Sequence, residues 1–94
     1  MYARVTTFKL GPGRRQVAEE LMRKIVPVIR SQKGFKQLYG LADDESGEYG
    51  GIVLWETKED GEAAFKIVFP QVQQALQGQI AEPPKTGLYE VVEQ

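Results

Sequence analysis

The sequence predicts an α+β fold in which four strands and two helices follow one another in the order β-α-β-β-α-β. Two segments carry apolar residues at the 3.6-residue spacing of amphipathic helices, and four segments are rich in β-branched and aromatic residues. Glycine, proline and acidic clusters separate these segments. The chain has 94 residues, the length of one domain, so we expect residues 1–94 to form a single domain.

The first strand and the first helix occupy the N-terminal third of the chain. A strand is predicted over residues 2–10, which are rich in β-branched and aromatic residues and end at a Gly-Pro-Gly turn. A helix is predicted over residues 14–30, where apolar side chains recur at Val17, Leu21, Ile25 and Ile29. Pro27 removes one backbone hydrogen bond of this helix, so we expect a kink there.

The remaining four elements follow from similar signals. Residues 35–42 and 49–56 have the composition of two strands, and the polar acidic segment between them is typical of a hairpin turn. Thr57 is placed to cap a second helix, which we expect Pro70 to end or kink before a further turn or two. A last strand is predicted over residues 85–92.

This order of elements is that of the ferredoxin-like fold, a four-stranded antiparallel sheet with two helices on one face. Because the helices cover only one face, the other face should be polar if it meets water. The predicted strands do not show this pattern. In the third strand, Ile52 and Leu54 alternate with Gly51, Val53 and Trp55. In the second strand, alternation predicts that one face holds Phe35, Tyr39 and Leu41 and the other Leu38 and Gly40.

Two partly apolar faces imply a second layer over the sheet. Burying several hundred Å² of apolar surface contributes on the order of 10 kcal/mol before the costs of association. We therefore expect a homodimer that packs sheet against sheet. A monomer with an exposed apolar sheet is the alternative.

Composition excludes several classes of protein. The chain has no His and no Cys, which excludes Ser-His-Asp and Cys-His catalysis and any Cys-ligated metal. Twelve basic and thirteen acidic side chains give a net charge of −1, which argues against a nucleic-acid partner. The acidic hairpin matches no EF-hand spacing, so we expect no metal. No signal peptide and no membrane span are recognisable, so we expect a cytoplasmic protein with no membrane partner.

Three short motifs resemble those of antibiotic biosynthesis monooxygenase-like (ABM) domains. Residues 3–10, followed by a Pro-Gly pair, resemble the first strand and turn of that family. Residues 25–35 resemble the end of its first helix and the Pro-Gly-Phe start of its second strand, with Lys33 in place of the proline. Residues 55–60 are similar to its Trp-Glu-Ser-x-Glu-x junction between strand and helix. The resemblance covers most of the chain and implies a dimeric α/β barrel.

Members of this family include cofactor-free oxygenases of quinol-type aromatics and haem-degrading enzymes. The haem-degrading branch has an Asn on the first strand, and a Trp and a His on or near the second helix. The corresponding positions here are Thr6 and, approximately, Phe65 and Ala75, and all three differ. We therefore expect no cofactor, and the resemblance assigns no catalytic residue. Two functions stay open: cofactor-independent oxygenation of a hydrophobic aromatic metabolite, and a non-catalytic small-molecule-binding or structural dimer.

Six residues are candidates for binding a small hydrophobic or aromatic ligand: Arg4, Thr6, Tyr39, Trp55, Phe65 and Phe69. The resemblance places the pocket between sheet and helices, with Thr6 in its lining and Arg4 on the same strand face. There Arg4 would bind an anionic oxygen of the ligand, and Thr6 would donate a hydrogen bond. The aromatic residues would stack on the ligand or wall the pocket, and the Tyr39 phenol would bond a ligand oxygen. Each residue also has a structural reading, as an ion-pair member, a strand anchor or ordinary core packing.

Two other kinds of domain share this order of elements. RNA-recognition domains carry a third strand of the form Lys/Arg-Gly-aromatic-Gly/Ala-aromatic-Val-x-aromatic. Residues 47–54 lack the basic start and two of the three aromatics, so RNA binding is disfavoured. Small-molecule regulatory domains of the ACT type have a Gly-rich first turn like the one at residues 11–13, but the Asp that usually precedes that turn is absent here.

Overall fold

The computed structural model describes all 94 residues and contains the six predicted elements in the predicted order. They are β1 (Tyr2–Lys9), α1 (Arg15–Arg30), β2 (Phe35–Asp43), β3 (Glu48–Trp55), α2 (Lys58–Leu76) and β4 (Lys85–Glu90). The strands and α1 begin and end within two residues of their predicted bounds. The ferredoxin-like α+β prediction is confirmed.

The four strands form one antiparallel sheet in the order β2-β3-β1-β4. Side chains from one face of β1 and β3 share a single core with the buried faces of both helices. Phe8 and Val53 belong to this core on the sheet side, and Leu21 and Val72 belong to it on the helix side. Both helices therefore cover the same face of the sheet, and the core lies between the two layers. Neither helix is long and apolar enough to cross a membrane.

The second helix is longer than its sequence suggested. Thr57 caps it, because its hydroxyl accepts a hydrogen bond from the Asp60 backbone N–H at 3.1 Å. Pro70 does not end the helix, which continues without a break to Leu76. Val72 and Leu76 lie beyond the proline and are both buried, so their burial offsets the one hydrogen bond that Pro70 removes. Likewise, α1 continues past Pro27 to Arg30.

An irregularity at the start of β2 changes which face Phe35 occupies. Phe35 pairs with Trp55 and Gln37 pairs with Leu54, so one extra residue lies between them in β2. Phe35 therefore packs on the core, with its ring edge-on to Trp55 at 6.1 Å between centroids. The prediction that Phe35 shares a face with Tyr39 and Leu41 is wrong, because a bulge resets the alternation of side chains.

The face of the sheet away from the helices is apolar over its central part, as alternation predicts, while Thr7, Gln37 and Lys85 lie toward its edges. We call it the outer face; it carries Val5, Tyr39, Leu41, Ile52, Leu54 and Tyr89. Tyr39 is 55% exposed and Tyr89 is 60% exposed, and no element of the chain covers them. A single chain thus leaves one apolar layer of its sheet open to water.

Candidate functional site

A small cavity of about 80 Å³ lies between the sheet and the two helices. Its walls come from the inner face of β1 and β3 and from the facing sides of α1 and α2. Most of the lining side chains are aliphatic or aromatic. Arg4 is the one charged residue in the lining, and Thr6 carries the one polar uncharged side chain. An apolar cavity with a few convergent polar groups is the usual form of a small-molecule site.

Arg4 extends from β1 into this cavity and stacks on an aromatic ring. Its guanidinium carbon lies 3.9 Å from the centroid of the Phe65 ring, a cation–π contact. One terminal nitrogen, Nη1, donates to the hydroxyl of Thr86 at 3.4 Å, while Nε is buried and has no hydrogen-bond partner. Burial lowers the pKa of Arg4, and the charge of Glu62 acts in the opposite direction. The guanidinium remains protonated at neutral pH.

A pair of hydroxyls continues the polar cluster across two strands. Thr6 in β1 lies directly opposite Thr86 in β4, and their Oγ1 atoms are 2.9 Å apart. Arg4 and Thr6 are two residues apart on β1, so their side chains point to the same face of the sheet. The three side chains Arg4, Thr86 and Thr6 form one connected chain of hydrogen bonds, which we call the Arg4 cluster.

Aromatic rings form much of the cavity wall. Phe65 and Phe69, one turn apart on α2, stack with their centroids 4.6 Å apart and their planes inclined by 23°. Trp55 at the end of β3 is 3% exposed and lines the cavity from the sheet side. Gly61 lets α2 approach closely here, because a Cβ at that position would lie 3.3 Å from Cδ1 of Trp55.

The structure brings five of the six sequence-predicted ligand-binding residues to this cavity. Arg4, Thr6, Trp55, Phe65 and Phe69 all line it. Tyr39 does not, because it pairs with Ile52 and both side chains lie on the outer face of the sheet. The phenol of Tyr39 is therefore on the other side of the sheet from the Arg4 cluster.

Sequence reasoning missed Thr86. Nothing local marks this residue, which precedes a glycine near the start of β4. Its role depends on the pairing of β4 with β1, which sets it opposite Thr6. The alternation of β1, combined with a strand-pairing prediction for β4, is the signal that would have found it.

A second group of hydrogen bonds links the hairpin between β2 and β3 to α1. The buried Tyr49 donates its hydroxyl proton to Oδ1 of Asp44 at 3.0 Å, and Arg15 donates to Oδ2 at 2.9 Å. These two hydrogen bonds hold the pKa of Asp44 below its usual value, and the bond from Tyr49 has the larger effect. Burial raises the pKa of Tyr49, and the hydrogen bond to Asp44 raises it further. Tyr49 is thus a structural anchor whose hydroxyl is already paired.

No family model matches the sequence, and no curated protein sequence matches it either. Solved structures do match over nearly the whole chain. SnoaB, a cofactor-independent oxygenase from Streptomyces nogalater, is 18% identical with a TM-score of 0.77, and the match covers 99% of this chain and 94% of that one. The monooxygenase ActVA-Orf6 of Streptomyces coelicolor, in complex with nanaomycin D, is 19% identical with a TM-score of 0.80, covering 99% and 88%.

A third similar structure is a protein of unknown function from Nitrosomonas europaea, NE2512. It is 14% identical with a TM-score of 0.79, and the match covers 99% of this chain and 90% of that one. At such identities the similarity establishes the fold. Structures described as antibiotic biosynthesis monooxygenases also match, among them one from Nitrosomonas europaea that is 18% identical with a TM-score of 0.77, covering 99% of this chain and 100% of that one. The chain therefore has the fold of these proteins, as its sequence motifs implied.

Proposed function

We propose that this chain binds a small aromatic molecule in the cavity between sheet and helices and oxygenates it without a cofactor. One observation carries the proposal: an apolar, aromatic-walled cavity contains a single cation, Arg4, beside the hydroxyl of Thr6. Such a site favours an aromatic ligand with an ionised oxygen. The similarity in fold to SnoaB, a cofactor-independent oxygenase, supports the proposal.

The chemistry needs only the substrate and O₂. The guanidinium of Arg4 stabilises the phenolate form of the substrate, and the proton leaves to water. The electron-rich phenolate transfers one electron to O₂, and the two radicals combine at a ring carbon to form a peroxide. Loss of water then leaves a carbonyl at that carbon. One phenol with an unsubstituted ring carbon and one O₂ thus become one quinone and one water, with all four electrons supplied by the substrate.

The size of the cavity limits how the substrate fits. A volume of about 80 Å³ is smaller than the roughly 150 Å³ of an engineered cavity that holds benzene. A single ring therefore enters only as wall side chains move. Met22 lines the cavity, and its unbranched thioether adapts readily to a ligand. We infer that one ring occupies the cavity and the rest of a larger substrate remains outside.

Oxygen uptake tests this function directly. The purified chain is mixed with a panel of mono- and dihydroxy-aromatics, and O₂ consumption and quinone formation are compared with the rate without protein. We expect catalysed uptake, and a fall in kcat/KM of about 10²- to 10³-fold in Arg4→Met, the size of the loss when one donor to a developing oxyanion is removed. An Arg23→Met control removes an exposed arginine outside the cavity and should leave the rate unchanged.

A non-catalytic binding protein is the second candidate, and one feature of the lining favours it. The side chains around the cavity offer a protonated guanidinium and a hydroxyl, both of which bind an anion, but no group that accepts a proton at neutral pH. Saturable quenching of Trp55 fluorescence by a phenol, with no oxygen consumed, would favour this candidate over the oxygenase.

We also propose that two copies of the chain pack through their outer faces. The support is the open apolar layer around Ile52, Leu54 and the exposed Tyr39 and Tyr89. Covering it removes apolar surface from water at about 25 cal/mol per Å². A dimer also buries further surface for a chain of 94 residues, because folding of a single chain of this size buries only roughly 60–65% of the surface that the unfolded chain exposes.

A further inference from the structure

The Arg4 guanidinium has hydrogen-bond donors with no acceptor inside the protein. Its Nε is buried and unpartnered, and its one hydrogen bond, from Nη1 to Thr86, is long at 3.4 Å. No carboxylate lies within ion-pair distance of it. A buried donor without a partner costs free energy that a suitable ligand atom recovers.

The contact with Phe65 limits which part of the guanidinium is left for a ligand. The guanidinium lies over the Phe65 ring, with its carbon 3.9 Å from the ring centroid, so the ring covers the side of the group that it faces. The N–H bonds lie in the plane of the guanidinium, so they project from its edge rather than from the covered face. That edge matches two oxygens of one planar anion in a bidentate pair of hydrogen bonds.

The two threonines orient a further donor toward the same place. The Thr86 oxygen accepts a hydrogen bond from Arg4, so its own hydroxyl proton can be donated to Thr6, whose oxygen is 2.9 Å away. With that bond made, the hydroxyl proton of Thr6 is free to point into the cavity, which Thr6 lines. Arg4 and Thr6 then each present a hydrogen-bond donor to the cavity.

From this arrangement we propose that the ligand of the cavity is an aromatic carboxylic acid, bound as its anion. The carboxylate lies against the edge of Arg4 and accepts from Thr6, and the ring occupies the apolar part of the cavity. Thr86 is a positioning residue that holds Arg4 and orients Thr6. This inference rests on the proposed binding function, and it narrows the substrate class from phenols in general to aromatic acids.

The negative charge of Glu62 reduces the positive electrostatic potential at this site. It lies on α2 one turn before Phe65, is exposed, and acts on Arg4 through its charge without forming an ion pair. A bound carboxylate is repelled by the same charge. Replacing Glu62 by Gln should therefore tighten the binding of an aromatic acid while leaving the binding of a neutral aromatic unchanged.

Trp55 provides the measurement, because it is the single tryptophan of the chain and lines the cavity. Its fluorescence is titrated with benzoate and, separately, with benzyl alcohol, a neutral molecule of similar size and shape. We expect benzoate to bind at least about tenfold more tightly than benzyl alcohol, the gain of a charge-assisted pair of hydrogen bonds. Equal affinities, or no benzoate binding at millimolar concentration, would overturn the proposal.

Variants assign the preference to the Arg4 cluster. Arg4→Met keeps an apolar stem against Phe65, and should abolish the preference for benzoate while benzyl alcohol still binds, which also shows that the variant is folded. Thr86→Val should weaken benzoate binding several-fold, and Thr86→Ser should restore it. Arg23→Met removes an exposed arginine outside the cavity and should change neither affinity. A benzoate preference that survives Arg4→Met would also overturn the proposal.

The two proposals fail in different ways. If the chain prefers benzoate through Arg4 but consumes no O₂ with any hydroxybenzoate, the aromatic-acid inference stands and the oxygenase function falls. If neutral phenols are oxidised but benzoate shows no preference, the oxygenase function stands and the aromatic-acid inference falls.

Discussion

The ring of Phe65 contacts both a cation and a second ring: the Arg4 guanidinium carbon is 3.9 Å from its centroid, and the Phe69 centroid is 4.6 Å away. Arg4 comes from β1 and the two phenylalanines come from α2. The contact between Arg4 and Phe65 couples the placement of the one cation in the cavity to the position of α2 above the sheet. The helix thereby controls the geometry of the Arg4 cluster.

Replacing Phe65 by Leu should release Arg4 while keeping the helix face apolar. The lost cation–π contact is worth about 0.5–2 kcal/mol, so the free energy of unfolding in urea should fall by about that amount. Benzoate binding should weaken several-fold, because the guanidinium edge is no longer held in place. Phe69→Leu is the matched control, since it removes the second ring but leaves the contact between Arg4 and Phe65. Equal losses of benzoate affinity in the two variants would contradict this account.

Replacing Gly61 by Val should destabilise the protein. A single added Cβ would already lie 3.1 Å from Leu88 and 3.3 Å from Trp55, and the branched methyls of Val have no room between α2 and the sheet. Overpacking of this kind costs about 1–3 kcal/mol, which exceeds the roughly 0.3–0.5 kcal/mol that replacing Gly by Val gains in helix propensity. Thermal unfolding followed by Trp55 fluorescence measures it. A melting temperature at or above that of the unmodified chain would show that Leu88 and Trp55 shift to accommodate the added side chain.

Acidification should weaken the fold through Asp44. Hydrogen bonds from Tyr49 and Arg15 hold the pKa of Asp44 below its usual value in the folded chain. A lowered folded pKa means that the stabilisation is present above the unfolded value of about 3.9, and is lost as the pH falls through the folded pKa. The urea midpoint should therefore decline below about pH 4. Asp44→Asn should make this decline smaller. If the urea midpoint of the variant falls below pH 4 as steeply as that of the unmodified chain, Asp44 is not the cause of the decline.

The outer face should carry the contact between two copies of the chain. Sedimentation equilibrium at micromolar concentration should give a mass near twice 10.6 kDa. Ile52→Glu introduces a charge at the centre of that face and should return the mass to that of one chain. Ile67→Glu is the control, because Ile67 is 50% exposed on α2, which lies on the other side of the sheet. A single-chain mass for the unmodified protein would overturn the dimer proposal.

The sequence alone determined the order of the six elements, the cap at Thr57, and the apolar character of both sheet faces. These features depend on residues within a few positions of one another, so spacing and composition are enough to read them. The motifs that resemble ABM domains pointed to the fold that the solved structures share. Five of the six candidate residues line the cavity, and alternation along β1 was enough to place Arg4 and Thr6 on one face.

Tertiary structure decided the rest. The bulge that turns Phe35 inward depends on how β2 pairs with β3, and the continuation of α2 past Pro70 depends on the burial of Leu76. The pairing of Thr6 with Thr86 joins residues 80 positions apart in the chain, and the stack of Arg4 on Phe65 joins the first strand to the second helix. Strand register and helix placement set such contacts, and these are settled only when the whole core packs.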